Sequence, residues 1–383
     1  MTSKLKSSLA SIILLICAVL CLWQPRSLHG QRQMRGPDPL TRWRAHDYAG
    51  TGYVGSSACT QCHKQEAATQ ATTPMFRALA AAADCAVLSR HPQMTFRNGP
   101  YTYQITRQGE RSIYTVTDGI STISEALLYC FGQGMVGQTY VFRHNGALYE
   151  SRVSYYQGLQ GLDFTVGQTH QASGALEEAL GRPISQLEAK NCFGCHAPTA
   201  VNGPQLQLEH LTPGVTCEGC HGPGARHVAA ARSKNLNEPQ IFNPGRLNAN
   251  ELTQEFCGSC HLNYEQAMLL PEQGGLSNIR FQAYRIFNSP GHNKVDARIS
   301  CLACHNPHEG VQHEASFYDA KCLACHLDGP PTTRRSQPMA AACPVSKQRC
   351  VTCHMPKVEL PGMHTKFTDH WIRVVKPNEP VPH

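Results

Sequence analysis

One five-residue motif, Cys-x-x-Cys-His, recurs seven times and constrains the chain more than any other feature. Two thiols about one helical turn apart can each add to a vinyl group on one edge of a porphyrin, and the next residue then lies under the ring as an axial ligand of the iron. The spacing therefore predicts seven covalently attached c-type haems. Their attachment cysteines and axial histidines are Cys59, Cys62 and His63; Cys192, Cys195 and His196; Cys217, Cys220 and His221; Cys257, Cys260 and His261; Cys301, Cys304 and His305; Cys322, Cys325 and His326; and Cys350, Cys353 and His354.

Zinc ribbons also use Cys-x-x-Cys pairs and are the alternative interpretation of these cysteines. Zinc does not require a histidine directly after the second cysteine, and here all seven pairs have one. A repeated spacing is also a far stronger signal than a single copy of a motif. The haem interpretation is therefore favoured.

Six of the motifs lie between residues 192 and 354, so about 27 residues serve each haem. So little chain cannot build an ordinary apolar core, because small units usually need metals or cross-links to hold together. We therefore expect the porphyrins to form the core, with short helices and loops around them. Haems so close in sequence are forced close in space, which suits electron transfer from iron to iron.

The segment between the first and second motifs has a different character. Residues 101–106 and 112–117 alternate with period two, and Asn145-Gly146 between two further runs is a strong hairpin signal. These patterns predict a small antiparallel β-domain over residues 92–168. Within it, residues 132–137 spell G-x-G-x-x-G, but they run straight into a strand, so we predict a turn and not a nucleotide site. Cys85 and Cys130 are either a disulfide or two buried thiols.

The N-terminus has the pattern of an export signal. Lys4 and Lys6 precede an apolar run of 15 residues, 9–23, which is short for a membrane span. We divide the chain into 1–30, a signal peptide or an N-terminal anchor; 31–91, a segment with the first haem; 92–168, the β-domain; and 169–383, a six-haem domain with a docking tail. The protein is then periplasmic or extracellular, with membrane association through an uncleaved N-terminus as the alternative.

The formal net charge of +7 invites a comparison with nucleic-acid-binding proteins. Each oxidised haem brings two propionates and one positive charge on the ferric porphyrin, about −1 in all, so seven haems offset about +7. No basic tract with interleaved aromatic residues is present in the sequence. The charge therefore compensates the cofactors, and no nucleic-acid partner is expected.

Several segments resemble the multihaem cytochromes related to cytochrome c-554. They include residues 53–59 with Thr73-Pro-Met75, residues 215–227, Cys304-His-Asn-Pro-His308 and Cys353-His-Met-Pro356 with Phe367-Thr-Asp-His370. The resemblance implies an exported electron-transfer protein whose haems are mostly bis-histidine and packed in pairs. The expected fold is mainly α with little regular structure, a haem-packed multihaem cytochrome c with a small inserted antiparallel β-domain.

The far side of each iron needs a second ligand or stays open. The resemblance implies His227 and His308 as such distal ligands. His210 and His292 precede motifs by a few residues and are further candidates, with His313 as an alternative to either. Met75 is either a thioether ligand or a packing residue.

The C-terminal tail supplies His364 and His370. It also carries Phe367, Trp371 and Ile372, so it has apolar side chains with which to pack across the haems. We expect the two histidines to bind two different irons, and Asp369 to orient an imidazole by accepting its ring N–H. The alternative is an ordinary surface tail.

These features favour an electron-transfer relay between a membrane-associated donor and an extracytoplasmic acceptor. The expected partners are a quinol-oxidising membrane complex or other cytochromes, with a homo-oligomer or filament as a further form. The alternative is a multihaem oxidoreductase that acts on a small nitrogen or sulfur compound at one open haem, or a structural haem subunit. All seven motifs end in His, so the Cys-x-x-Cys-Lys motif of pentahaem nitrite reductases is absent from the sequence.

Overall fold

The computed structural model describes residues 52–203, 205–234, 240–269, 276–292, 299–326 and 343–375. The predicted export signal over residues 1–30 lies outside these ranges. Among the helices in them, none has both the length and the apolar composition needed to cross a bilayer.

Ten strands form one antiparallel sheet that dominates the N-terminal half of the described chain. Its path is β10-β7-β6-β5-β4-β3-β2, with β1 paired to β5 and with β8 between β6 and β9. The strands are β1 Leu79–Ala81, β2 Gln93–Asn98, β3 Tyr101–Gln108, β4 Arg111–Thr117, β5 Thr122–Phe131, β6 Gly137–His144, β7 Ala147–Ser151, β8 Val153–Tyr156, β9 Gly161–Phe164 and β10 Gly181–Pro183.

The predicted fold class, mainly α with a small β-domain, is therefore wrong. The sheet runs from Leu79 to Pro183 and is a principal element of the fold. Its outermost members in sequence, β1 and β10, have three residues each, too few to show a period of two. They join the sheet through backbone pairing with β5 and β7, which are distant in sequence. On the helical side, many of the motif-bearing helices are only four or five residues long.

Local turn chemistry sets the register of the sheet. Asn145 and Gly146 both have positive φ, 48° and 82°, and His144 pairs with Ala147 across them. This confirms the predicted hairpin, since a two-residue turn with two positive φ angles matches the twist of its strands. Gly137 opens β6, so a strand and not a helix follows the glycine-rich turn, as predicted.

The inner face of the sheet forms the largest apolar core among the described residues. Alternate residues of β3 and β4 point into this core. Phe96 of β2 packs edge-on against Phe164 of β9, with 5.2 Å between the ring centres, so the sheet curls to bring these two strands together. The fully buried side chains at its centre are Tyr103, Ile105, Tyr114, Val116, Tyr140 and Phe142.

The remaining described chain is a series of short helices. The α-helices are α1 Ser56–Thr60, α2 Lys64–Gln70, α3 Ala86–Arg90, α4 Leu176–Leu180, α5 Gln186–His196, α6 Cys217–His221, α7 Ala225–Arg232, α8 Gly258–His261, α9 Tyr264–Met268, α10 Gln282–Phe287, α11 Cys301–Cys304, α12 Ala315–Leu323 and α13 Cys350–His354. A π-helix, Glu251–Cys257, leads into α8. Strands β11 Val201–Asn202 with β12 Gln205–Leu206 and β13 Lys357–Glu359 with β14 Lys366–Thr368 form two small hairpins.

Helix α5 joins the sheet to the motif-rich region. It begins with a capping box, in which Ser185 and Glu188 satisfy each other's backbone N–H groups. Its Phe193 is fully buried, and the rings of Tyr129 and Phe131 from β5 meet Phe193 edge-on, each at 5.1 Å. The second motif is therefore anchored directly on the end of β5.

Candidate haem sites

Each motif folds into a turn that places its cysteines and histidine together. In the first, fifth and sixth motifs the histidine N–H donates to the carbonyl of the first cysteine, with N–O distances of 2.9, 2.9 and 3.0 Å for His63, His305 and His326. The second, third, fourth and seventh motifs end the helices α5, α6, α8 and α13. One helical turn thus presents two thiols and an imidazole, as a porphyrin edge and its iron require.

Several motif imidazoles are held through their Nδ1 atoms. The Nδ1 atoms of His196, His221 and His354 lie 2.8, 3.0 and 2.8 Å from the backbone carbonyl oxygens of Ala78, Phe242 and Arg373. The Nδ1 atom of His261 lies 3.3 Å from Oε1 of Gln282. Because a carbonyl oxygen only accepts, each Nδ1 carries the proton, and Nε2 keeps the lone pair that binds a metal.

Burial also keeps these imidazoles neutral. It lowers the pKa of His196, His221 and His305 from the usual histidine value, since a charged ring loses solvation inside the protein. A neutral imidazole is the form that binds iron. The donor set and its protonation therefore fit haem c.

Three predicted distal histidines lie beside motif histidines at a ring separation that one shared iron would require. The ring centres are 6.2 Å apart for His63 and His227, 5.9 Å for His221 and His308, and 6.3 Å for His305 and His370. Two imidazoles on one metal, with metal–nitrogen bonds of about 2 Å, have ring centres about 6 Å apart. The planes of His221 and His308 differ by only 8°.

In each pair the two histidines come from different parts of the chain. His227 follows the third motif but faces the first, and His308 follows the fifth but faces the third. His370 comes from the tail and faces the fifth. Each pair therefore ties two segments together, in a way that the spacing along the sequence does not reveal.

His292 is buried, with only 2% of its surface exposed, and neither ring nitrogen has a hydrogen-bond partner among the described residues. Its ring packs on Phe287 at 5.8 Å. Burying an imidazole without a partner is costly, since buried polar groups are nearly always bonded. A bound metal would satisfy it.

The other predicted distal residues have different surroundings. Nε2 of His364 lies 2.7 Å from Oδ2 of Asp163, and its ring meets Tyr156 edge-on at 5.1 Å. His210 is exposed on the 3-10 turn Leu208–His210, and no ring packs against it in the described chain. Met75 is half-buried in the turn after α2, and its carbonyl accepts from the N–H of Val215.

Neighbouring motifs contact one another through their thiols. The side chains of Cys59 and Cys217 are in hydrogen-bonding contact, which joins the first and third motifs. A contact of the same kind joins Cys257 of the fourth motif to Cys301 of the fifth. Another joins Cys322 of the sixth motif to Cys350 of the seventh.

Further contacts connect these pairs of motifs. The thiol of Cys195 lies 3.8 Å from the carbonyl oxygen of Ser259, which links the second motif to the fourth. His221 with His308 links the third to the fifth, and α11 packs on α12, which carries the start of the sixth. All seven motifs therefore belong to one connected set.

Two carboxylates that sequence reasoning missed hold the motifs in place. Glu218, inside the third motif, accepts the backbone N–H groups of Val54, Gly55 and Gly224 at 2.9, 2.9 and 2.8 Å. Asp319 accepts those of Arg349 and Cys350 at 2.8 and 2.9 Å, where the seventh motif begins. Their partners are backbone groups, which leave no sequence signal.

The role predicted for Asp369 is wrong. Its buried carboxylate binds Arg285 through two bonds of 2.8 Å and Arg373 through one of 2.7 Å. The Nδ1 atom of His370 instead lies 3.0 Å from the carbonyl oxygen of Thr368. Burial raises the pKa of Asp369, but the arginines and the N–H of Trp371 outweigh it and hold this pKa below the usual value. Burial lowers the pKa of His370 to about 4.

Cys85 and Cys130 meet as two buried thiols in the sheet core. Their side chains are in hydrogen-bonding contact, and Sγ of Cys85 lies 2.9 Å from Oε1 of Gln138. The bond from Cys130 lowers the pKa of Cys85 to about 7 against the opposing effect of burial. A disulfide between them stays a prediction.

Parts of the chain are similar to known multihaem cytochromes. The family model for cytochrome c554 and c-prime matches residues 164–222, which hold the second and third motifs. The chain is 24% identical over 181 residues to the multiheme cytochrome MtrA of Shewanella baltica (strain OS185), covering 44% of this chain and 46% of that protein. It is 32% identical over 85 residues to cytochrome c-554 of Nitrosomonas europaea (strain ATCC 19718), covering 20% of this chain and 36% of that protein.

The chain is a multihaem c-type cytochrome. The cytochrome carries covalently bound haem c. It spans less than half the length of either curated relative. The crystal structure of the Outer Cell Wall Cytochrome OcwA superposes on it with a TM-score of 0.34 and 15% identity, over 85% of this chain and 60% of that one.

Proposed function

We propose that the chain is an exported seven-haem relay that passes electrons from a membrane-associated donor to an extracytoplasmic acceptor. The three imidazole pairs at about 6 Å carry this proposal. An iron with two imidazole ligands has no free position for a substrate, so it can only exchange electrons.

The remaining irons take their proximal ligands from His196, His261, His326 and His354. Their proposed distal ligands are His210, His292, His364 and Met75. The unpartnered ring nitrogens of His292 support its assignment. His364 would bind through Nδ1, because its Nε2 is hydrogen-bonded to Asp163.

Bound haem supplies one-electron chemistry at iron, and the chain's own residues organise it. Backbone carbonyls fix the tautomers of His196, His221 and His354. The attachment cysteines of neighbouring motifs lie close together, so haems bound through them would be close neighbours and electrons would need only short steps. The connected set of motifs suits conduction across the molecule.

The proposed location is periplasmic or extracellular, because haem attachment of this kind takes place outside the cytoplasmic membrane. The proposed donor is a quinol-oxidising membrane complex or another cytochrome. Fractionation of cells that produce the full chain tests the location, and recovery of the haem protein with the cytoplasm would contradict it.

An oxidoreductase is the second candidate, and one observation favours it. His364 contacts Asp163 and Tyr156. If His364 did not bind its proposed iron, that iron would have an open position with acid and base groups nearby. Carbon monoxide added to the fully reduced protein separates the candidates. A relay gives no spectral change, whereas an enzyme shows one haem binding the gas.

A further inference from the structure

The C-terminal tail takes part in a buried ionic cluster, and none of the residues in this cluster is a proposed haem ligand. Asp369 is fully buried, and Arg285, 1% exposed, grips both of its carboxylate oxygens. Arg373 reaches the same carboxylate, and Trp371 lies against both guanidinium groups, with its ring centre 4.9 Å from Cζ of Arg285 and 5.4 Å from Cζ of Arg373. We define Arg285, Asp369, Trp371 and Arg373 as the tail cluster.

One N–H donor of Arg373 has no acceptor in the described chain. Its Nη1 atom donates to Asp369 and to the carbonyl of Trp371 at 2.9 Å. Its Nε atom is buried and has no partner among the described residues. Because Asp369 already binds Arg285 through both oxygens, that carboxylate cannot accept every N–H group of two guanidiniums.

The same residue lies between two of the proposed haem sites. The carbonyl of Arg373 accepts the Nδ1–H of His354, the proximal ligand of the seventh motif. Three residues earlier in the chain, His370 faces His305 of the fifth motif. Ser289 fixes this geometry, since its hydroxyl donates to the carbonyl of His370 at 3.2 Å and accepts from the N–H of Ile372 at 2.8 Å.

The missing acceptor has a definite chemistry. A buried guanidinium N–H prefers an anionic oxygen, and a carboxylate gives the strongest such bond. Every haem c carries two propionate carboxylates on the edge opposite its thioether side. We propose that Nε of Arg373 donates to a propionate of the haem bound through His354. This inference rests on the proposed haem site at the seventh motif.

Such a contact has a redox consequence. A guanidinium beside the haem disfavours the ferric state, which carries one more positive charge than the ferrous state. Arg373 therefore raises the reduction potential of this haem relative to an equivalent site without it. The tail then tunes the potential of one haem as well as supplying a proposed ligand to another.

The experiment compares the variants Arg373→Gln and Arg373→Lys with the control Arg111→Gln, all as haem-loaded full-length protein. Arg111 is exposed at the start of β4, and its replacement changes the net charge equally. Resonance Raman spectra report the propionate bending modes, and spectropotentiometry reports the midpoint potentials. Intact mass and electron paramagnetic resonance record the haem count and spin states, and so test the proposed haem sites separately.

We expect Arg373→Gln to shift one propionate mode and to lower the midpoint potential of one haem. The reduction equilibrium constant of that haem should fall about tenfold, which is about 59 mV for one electron. Arg373→Lys keeps the charge without the Nε–H, so it should shift the mode and lower the midpoint less. The control should change neither. Unchanged propionate modes in both Arg373 variants, with haem count and spin states intact, would overturn the inference. A midpoint shift without a change in these modes would do the same, because the acceptor would then be another carboxylate.

Discussion

Glu218 shows how one side chain can position two haem sites. Its carboxylate lies between the two cysteines of the third motif and accepts three backbone N–H groups, two of them just before the first motif. Both oxygens are used, so the carboxylate acts as a clip between segments more than 160 residues apart in sequence.

Replacing Glu218 with Gln should therefore destabilise the protein. One carboxylate oxygen would become an NH₂ group, which cannot accept the backbone N–H that donates to that oxygen in the wild type. Losing a buried hydrogen bond of this kind lowers the free energy of unfolding by about 1–3 kcal/mol. Denaturant unfolding of the haem-loaded protein measures the free energy of unfolding. Glu209→Gln, at an exposed glutamate, is the matched control. Equal stability of the two variants would show that the clip contributes nothing.

Asp319 gives a prediction about pH. The N–H groups of Arg349 and Cys350 lower its pKa below the ordinary value of 3.8, so folding favours the ionised form. A depressed pKa contributes stability that is complete above the unfolded value and is lost as the pH falls through the folded value.

Asp319→Asn should therefore be less stable than the wild type at pH 7, and the difference should shrink below about pH 3.8. Thermal unfolding over a pH series measures this difference. Asp84→Asn, at an exposed aspartate, should show no comparable trend. A difference that stays constant down to the lowest pH would contradict the role assigned to the carboxylate.

At the scale of elements, the tail is the segment whose function is most open to test. β14, the tail cluster and Ser289 hold His370 opposite His305. The sequence predicted that this tail docks and carries a ligand, because its histidines sit among aromatic and aliphatic residues. It could not predict that Asp369 pairs with Arg285, which is 84 residues away in sequence.

His370→Ala should leave the iron at His305 with five ligands. The change from two imidazoles to one converts a low-spin ferric haem to a high-spin one, which electron paramagnetic resonance detects as a new signal. The comparison variant is His170→Ala, at an exposed histidine that packs on Phe164 of β9 and is not a proposed ligand, so it should keep the low-spin spectrum. A purely low-spin spectrum for His370→Ala would show that the tail does not ligate this iron.

The sheet and the motifs differ in how far sequence could predict them. The hairpin at Asn145-Gly146 and the alternating strands followed from local chemistry, and the structure has them. The extent of the sheet did not follow, because β1 and β10 depend on partners far away in sequence. The motif histidines were evident from spacing, whereas their Nδ1 acceptors are backbone carbonyls such as those of Ala78 and Phe242.

At the scale of the whole molecule, the proposed exchange of ligands between motifs would organise the fold. His227, His308 and His370 each face a histidine of a motif other than the one that precedes them. The chain is thus expected to fold around its haems and not before them. This agrees with the small apolar cluster of Ala267, Phe281 and Tyr284 in the motif-rich region, compared with the large core of the sheet.

The most direct test locates the irons in the haem-loaded protein by anomalous diffraction at the iron absorption edge. The account predicts seven iron peaks, one at each motif. Three of these peaks should lie midway between the imidazole pairs His63 with His227, His221 with His308 and His305 with His370. Fewer than seven peaks, or an iron at His63, His221 or His305 whose sixth ligand is another residue, would contradict it.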